Sequence, residues 1–295
     1  LGVRVLGCGT RAADHARTTR WLGRINARLW RLGRRLMPAV RGSLLYRIYR
    51  AVFRCGRQSK ILGWLFRGGF TAFLLAAVGL YAILDYLLRD VLAVPVISSV
   101  WDEGLLLLAA LWIVYDRMRA PKALAPRVNP LDAPVLLFVG TGLALMFLVC
   151  PFPSIAVAGY RATVQYMLWF YILTRLLRED RDFMTLYMVL VMAAFVISLH
   201  GIYQFIVAAP IPSSWTDQAE TAVRTRVYSI FGSPNIMGDF MVMFAPMAAG
   251  LAYWCKDKRA KVFFWLVTFS MCFSCLFTMS RGAWMAMAVA ILIFA

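Results

Sequence analysis

The chain has 295 residues, of which 62% are apolar and 16% charged, and its mean hydropathy is +0.70. This composition excludes a soluble domain of this length and predicts an integral membrane protein. The net charge of +18 does not indicate a nucleic-acid-binding protein, because 16 of the 32 Lys and Arg residues lie within residues 1–69, ahead of the first long apolar run.

Residues 1–69 form a basic segment in which apolar side chains recur every three or four positions, as at Trp21, Ile25 and Leu29, with arginines between them. This spacing predicts amphipathic helices with a cationic face. We expect the segment to lie on the anionic lipids of the inner leaflet, where each nearby Lys or Arg adds about 1 kcal/mol. A nucleic-acid-binding arm is the alternative, which Trp and Leu on one helix face disfavour.

Residues 70–295 carry a series of long apolar runs and are predicted to form an all-α, polytopic transmembrane helix bundle with about eight spans. Asp102 and Glu103 interrupt the second run, and the fourth run is short. The candidate spans are residues 70–88, 99–115, 131–150, 162–177, 183–207, 235–254, 262–279 and 283 onward.

The basic residues between these runs predict the orientation. With the N-terminus in the cytoplasm, all but five of the 32 Lys and Arg residues lie on the inner side, as the positive-inside rule requires. The five exceptions are Arg89, Arg161, Arg224, Arg226 and Arg281.

Four of these exceptions, Arg161, Arg224, Arg226 and Arg281, lie in outer loops or at outer helix ends in the second half of the chain. A single arginine at a helix end commonly reaches phospholipid headgroups, which is the simpler explanation. The alternative is a phosphate or diphosphate site, since a guanidinium binds phosphate oxygens in a bidentate manner. Arg161 and Arg281 also stand at predicted helix starts, where the dipole and unpaired N–H groups attract anions.

Three further polar residues lie near these arginines in the sequence. Asn235 follows a Ser-Pro turn, so we expect it near a helix N-cap, where it bonds either the first-turn N–H groups or a ligand. Asp239, one turn later, is a candidate to orient Arg226 or Arg281. His200 is either a structural residue or a catalytic one. The predicted outer loops contain no metal-binding motif, so no metal or cofactor is expected.

Three blocks of sequence resemble the O-antigen ligase and O-antigen polymerase superfamily of bacterial membrane glycan transferases. They are GIYQF (residues 201–205), RVYSIFGSPNIMGDFMVMFAPMAAG (226–250) and TMSRGAW (278–284). The second is similar to a family pattern of Arg, small-x-Phe and Asn-Pro-Asn before a helix with a central proline, and Ser233 stands where Asn is usual. The third looks like the family's Ser-Arg-Gly-Ala/Ser-Trp signature. The resemblance covers about residues 130–295.

The resemblance implies a multi-pass protein of the bacterial inner membrane that transfers a glycan from an undecaprenyl-diphosphate-linked donor to an acceptor hydroxyl on the extracytoplasmic side. Arg226 and Arg281 match the family arginines that hold the pyrophosphate. The family's acceptor-activating His lies in a later outer loop, beyond Ala295.

We expect the C-terminal part of the protein to be missing, and this fragment alone to be inactive. The apolar run after Gly282 would rise only about 20 Å as a helix. The hydrocarbon core of a membrane is about 30 Å thick.

Two other classes of protein stay open. A transporter or lipid-linked glycan flippase would have internal repeats, interrupted helices paired across two halves, or charges at mid-bilayer depth. A non-enzymatic membrane scaffold would use the basic N-terminal segment as its working part.

Overall fold

A computed structural model describes residues 17–59, 63–119, 131–149, 151–210 and 225–294. All regular structure in these ranges is helical, which confirms the all-α fold class. The α-helices in chain order are α1 (Arg17–Gly42), α2 (Leu44–Gly56), α3 (Gly63–Arg67), α4 (Gly69–Gly79), α5 (Tyr81–Tyr86), α6 (Pro95–Arg119), α7 (Asp132–Leu148), α8 (Pro153–Tyr160), α9 (Tyr166–Leu176), α10 (Asp180–Ile206), α11 (Pro234–Trp254), α12 (Lys258–Phe277) and α13 (Arg281–Phe294).

Four helices of the described residues are long and apolar enough to cross a membrane, namely α6 from Ile97 onward, α10, α11 and α12. A fifth candidate is the pair formed by α4 and the stretch Tyr81–Val91, which bends by 68° at the break. Helices α7 and α13 are apolar but shorter. The protein is therefore a helical membrane protein with four or five candidate spans among its described residues, and the predicted number of eight is not confirmed.

Two of the predicted spans contain local irregularities. Helix α4 ends at Gly79, and Tyr81–Val91 continues at an angle of 68°. At this break an added Cβ on Gly79 would lie 2.7 Å from Val189 Cγ1 of α10, so the two helices approach closely there. In the predicted span 162–177, the π-helical segment Arg161–Gln165 joins α8 to the 11-residue helix α9 without a break, so Arg161 lies inside a helical stretch and not at the predicted helix start. By contrast, α6 continues through Asp102 and Glu103, which were expected to weaken it.

The chain divides into two compact units. Unit 1 comprises Leu1–Leu74 and Ser99–Phe183, and unit 2 comprises Leu75–Ser98 and Met184–Ala295. The N-terminal helices thus belong to the same unit as most of α6 and all of α7, α8 and α9.

Within unit 1, the N-terminal helices are packed against the rest of the unit. Arg117 at the end of α6 donates a hydrogen bond to Asn26 Oδ1 of α1 at 2.6 Å. Gly33 of α1 approaches the backbone of Met118 so closely that no side chain would fit between them. These contacts attach α1 firmly to α6.

Unit 2 contains a continuous apolar core. Along α11, Met237, Met241, Ala245 and Ala248 are buried at helical spacing. They pack with buried residues of α10, α12 and α13 in one cluster. Because water does not drive helices together inside a membrane, small residues such as these alanines favour close van der Waals contact between the helices.

Candidate functional site

The three blocks that carry the family resemblance meet at one end of unit 2. The Val227 N–H donates to Phe277 O at 3.1 Å, which ties the segment before α11 to the end of α12. An added Cβ on Gly238 would lie 2.6 Å from Ala283 Cβ, so the second and third blocks are in close contact. An added Cβ on Gly201 would lie 2.8 Å from Val227 Cγ1, which brings in the first block.

Arg226 is half-buried and held by two hydrogen bonds. Its Nε donates to Thr278 O at 3.0 Å, and its Nη2 donates to Asn235 Oδ1 at 3.3 Å. The guanidinium is thus fixed between the start of α11 and the turn before α13. A guanidinium has further N–H groups beyond these two, and they are available to a ligand.

Arg281 is the first residue of α13 and is exposed. The turn before it includes Met279, which has a positive φ of 54°, and the Ser280 N–H donates to Thr278 Oγ1 at 3.3 Å. Trp284 Nε1 donates to the carbonyls of Cys275 and Leu276 at the end of α12. In TMSRGAW the tryptophan therefore fixes the junction of two helices and leaves the arginine exposed at a helix N-terminus.

Neither Arg226 nor Arg281 has a carboxylate partner within the part of the chain that the structure describes. Asp239, expected to orient one of them, is exposed on α11 and makes no ion pair with either. The result is a local excess of positive charge at the end of unit 2 where helices α11 and α13 begin. The first backbone N–H groups of these helices have no partner within the helix.

The start of α11 differs from the predicted arrangement at Asn235. Ser233 is the N-cap, with its Oγ accepting from Ile236 N at 3.5 Å, and Pro234 is the first helical residue. Proline suits this position because its missing N–H would have no helical partner there. Asn235 is left exposed inside the first turn, where its side chain accepts the hydrogen bond from Arg226.

Arg161, in unit 1, has a different environment. Its Nη2 lies 2.5 Å from Glu103 Oε1 and 3.8 Å from Asp102 Oδ1, and it donates to Ser99 O at 2.7 Å. The two acids that interrupt the second apolar run are therefore partners of this arginine, an arrangement that sequence spacing does not reveal. Its charge is compensated within the unit, unlike that of Arg226. Arg224 lies outside the described residues.

His200 belongs to a buried polar cluster at the same end of unit 2 as Arg226. Its Nδ1 lies 3.0 Å from Ser229 Oγ, and Ser229 Oγ donates to Ile197 O at 3.0 Å. Gln204, one turn after His200, accepts from Ser229 N through Oε1 at 2.7 Å and donates to Ser229 O through Nε2 at 3.3 Å. These two bonds hold Ser229 in an uncommon conformation with φ of 49°.

Sequence reasoning did not identify Ser229 or Gln204, although both lie inside the quoted blocks. The available signal was a glutamine one helical turn after a histidine in an apolar run. Such a polar residue needs a hydrogen-bond partner in a membrane.

Comparison with protein-family models, with curated proteins and with solved structures gives no match. The described residues contain no group of three or more His, Cys, Asp or Glu that could hold a metal ion. The groups available for chemistry at this end of unit 2 are two arginines without carboxylate partners among the described residues, two helix N-termini and a histidine.

Proposed function

We propose that this protein acts in glycan transfer from an undecaprenyl-diphosphate-linked donor to an acceptor hydroxyl, as a surface polysaccharide ligase or polymerase. The observation that carries the proposal is the arrangement of Arg226, fixed by Thr278 O and Asn235, beside the helix start that bears Arg281. Both arginines lack a carboxylate among the described residues, which favours an anionic ligand. A diphosphate presents the oxygens that guanidinium groups bind best.

The proposed chemistry requires a fixed positive charge where the leaving group forms. The acceptor oxygen bonds to the anomeric carbon of the donor sugar, and the bond from that carbon to the diphosphate oxygen breaks. Negative charge then accumulates on the diphosphate. Donors already aimed at that position stabilise the transition state without reorganising.

The direct test of this function is donor binding, since it does not depend on the presence of every catalytic group. We expect the protein in lipid nanodiscs to bind undecaprenyl diphosphate more tightly than undecaprenol, and pyrophosphate to compete for the site. Native mass spectrometry of the complexes measures both. Equal binding of the diphosphate and the alcohol would contradict the proposal.

We also propose that the N-terminus is cytoplasmic, that the membrane is the bacterial inner membrane, and that α1 and α2 bind anionic lipids. Residues 17–59 contain twelve arginines and no Asp or Glu. On α2, Leu45 is 80% exposed and Ile48 and Val52 are each 51% exposed, beside exposed arginines. An apolar face flanked by cations is what an interfacial helix presents to headgroups and acyl chains.

Replacing Arg47, Arg50 and Arg54 with glutamine is expected to reduce retention of anionic lipid. All three are exposed on α2, and their combined contribution is about 3 kcal/mol at about 1 kcal/mol each. Native mass spectrometry of protein released from mixed phosphatidylglycerol and phosphatidylethanolamine nanodiscs would measure the loss. The matched control replaces the same residues with lysine and should retain the lipid. Equal lipid retention by the glutamine variant and the wild type would show that these three arginines do not contribute to lipid binding.

One observation bears on the transporter or flippase alternative. The bend of 68° between α4 and Tyr81–Val91 is an interrupted helix of the kind that class uses. The same class pairs such breaks across two halves, and the described residues contain no second bent pair. The scaffold alternative is tested by replacing Arg47, Arg50 and Arg54 with glutamine, which removes exposed cations of α2 without removing the helices packed in unit 1, and a transferase should keep its glycan chemistry in this variant.

A further inference from the structure

An apolar groove lies within unit 1 between α1, α2, α4 and α6, with a volume of about 630 Å³. Part of its lining is aromatic: the ring centroids of Phe70 and Trp112 are 4.6 Å apart, and Trp112 stacks on Tyr115 at 5.1 Å. Leucines of α6 also line it, of which Leu111 is 56% and Leu108 is 45% exposed. Large apolar side chains that stay exposed along one groove indicate a binding site.

The lining offers few polar partners to a ligand in the apolar part of the groove. Ser43 Oγ donates to Val40 O at 2.6 Å and accepts from Tyr46 N at 3.3 Å. The indole Nε1 of Trp112 donates to Thr71 Oγ1 at 3.0 Å. Because these groups already have partners, this part of the groove favours a hydrocarbon chain.

One end of the groove is polar and positively charged. The hydroxyls of Tyr46, Tyr49 and Tyr115 interact electrostatically with one another, so they lie together. Arg119, one turn after Tyr115 on α6, acts on the hydroxyls of Tyr49 and Tyr115, and Arg41 acts on that of Tyr115. Both arginines are exposed, and neither makes an ion pair with a described residue.

The change from apolar to cationic along α6 matches the shape of a phospholipid. From Leu108, inside a helix able to cross a membrane, to Arg119 at its end, the rise is about 17 Å. Asp116, the acid of α6 closest to this end, is paired with Arg178. Residues 17–59 add twelve arginines and no acid, so charge complementarity favours an anionic lipid over an apolar helix of another protein. Basic pockets beside membrane helices bind lipid headgroups in this way.

We propose that this groove binds one anionic phospholipid, with an acyl chain along Leu108 and Leu111 and the phosphate at Arg41 and Arg119. The inference rests on the proposed binding of anionic lipid by the N-terminal helices and makes it specific. It assigns a single lipid molecule to a site between four helices, in addition to the lipids that contact the exposed face of α2. It does not depend on glycan transfer.

The acyl-chain site is tested by filling the groove. Ala39 is an exposed residue of α1 that lines it, so Ala39→Trp occupies the space without removing a buried side chain. The matched control is Ala27→Trp, at an exposed alanine of the same helix outside the groove. The full chain is transferred from phosphatidylglycerol nanodiscs into detergent and analysed by native mass spectrometry. We expect wild type and control to retain one phosphatidylglycerol and Ala39→Trp to retain none. Equal retention by Ala39→Trp would overturn the proposal.

The headgroup site is tested by replacing both Arg41 and Arg119 with glutamine. The affinity for phosphatidylglycerol should fall by about 25-fold, which is about five-fold for each arginine. Lysine at both positions should keep most of the affinity. Equal retention of phosphatidylethanolamine and phosphatidylglycerol by the wild type would overturn the proposal, as would a retained second copy of the chain in place of the lipid.

A photoreactive phosphatidylglycerol with a diazirine on its acyl chain locates the lipid directly. We expect cross-links to the part of α6 that contains Leu108 and Leu111, and their loss in Ala39→Trp. Cross-links confined to α2 would overturn the groove site but agree with lipid binding on the surface of α2. Conversely, unchanged lipid retention after replacement of Arg47, Arg50 and Arg54, together with loss of one lipid in Ala39→Trp, would contradict the surface proposal and support the groove.

Discussion

In the full-length protein, replacing Arg226 with lysine is expected to lower glycan transfer by about 100-fold, the effect typical of losing one preorganised donor to a developing negative charge. Lysine keeps the positive charge but has a compact ammonium group on a flexible stem. It cannot bond Thr278 O and Asn235 as the guanidinium does and still present a planar pair of N–H groups to a diphosphate. Turnover and binding of undecaprenyl diphosphate should therefore both decrease.

Arg281→Lys is expected to have a smaller effect, of about ten-fold, because the exposed Arg281 offers mainly charge at a helix start, which lysine retains. Arg281→Gln should cost more than Arg281→Lys. The matched control is Arg89→Lys, since Arg89 is an exposed arginine of unit 2 already paired with Asp85 at 2.5 Å. If Arg226→Lys and Arg281→Lys both transfer glycan as well as this control, the simpler explanation holds, in which the two arginines only contact phospholipid headgroups.

The sequence predicts helices well where apolar runs are long and uninterrupted. The spans expected at 183–207, 235–254 and 262–279 correspond to α10 at Asp180–Ile206, α11 at Pro234–Trp254 and α12 at Lys258–Phe277. In a membrane every backbone group must be bonded within the helix, so a continuous apolar run has few alternatives to a helix.

The sequence predicts less where a helix changes direction. The bend after Gly79 and the π-helical segment Arg161–Gln165 both lie beside contacts with residues far away in the chain: Gly79 approaches Val189, and Arg161 pairs with Glu103. An average hydropathy over neighbouring positions in the sequence contains no information about such contacts. It therefore predicted a straight span where the chain bends after Gly79 and a regular helix where a π-helical segment lies.

The candidate site shows the same limit at the level of single residues. Counting charges identified Arg161 and Arg226 together, because both were exceptions to one rule of orientation. The structure separates them by their partners: Glu103 neutralises Arg161, whereas Arg226 bonds a carbonyl and an amide. Charge counts contain no information on which helices are neighbours. The roles of Ser229 and Gln204 were missed for the same reason.

Replacing Gly201 with alanine is expected to destabilise unit 2 by about 1–3 kcal/mol, the usual cost of overpacking a core. An added Cβ would lie 2.6 Å from Ser274 Oγ, 2.8 Å from Val227 Cγ1 and 3.0 Å from Met237 Cε. Three different parts of the unit would have to move at once, so relaxation is costly. Thermal unfolding in detergent, followed by fluorescence size-exclusion chromatography, would measure the loss.

A control and a rescue separate this steric effect from a general effect of removing glycine. At Gly250, on α11 in the same unit, an added Cβ would meet only Tyr187 Oη at 3.5 Å, so Gly250→Ala should be neutral or stabilising through helix propensity.

Ser274 Oγ is buried without a hydrogen-bond partner among the described residues, so Ser274→Ala alone should cost little. Combined with Gly201→Ala, it removes the closest contact and should restore part of the stability. No recovery in the double variant would show that Val227 and Met237 dominate the strain. In that case Gly201→Ala should also bind undecaprenyl diphosphate less tightly, because a shift of Val227 would displace the adjoining Arg226.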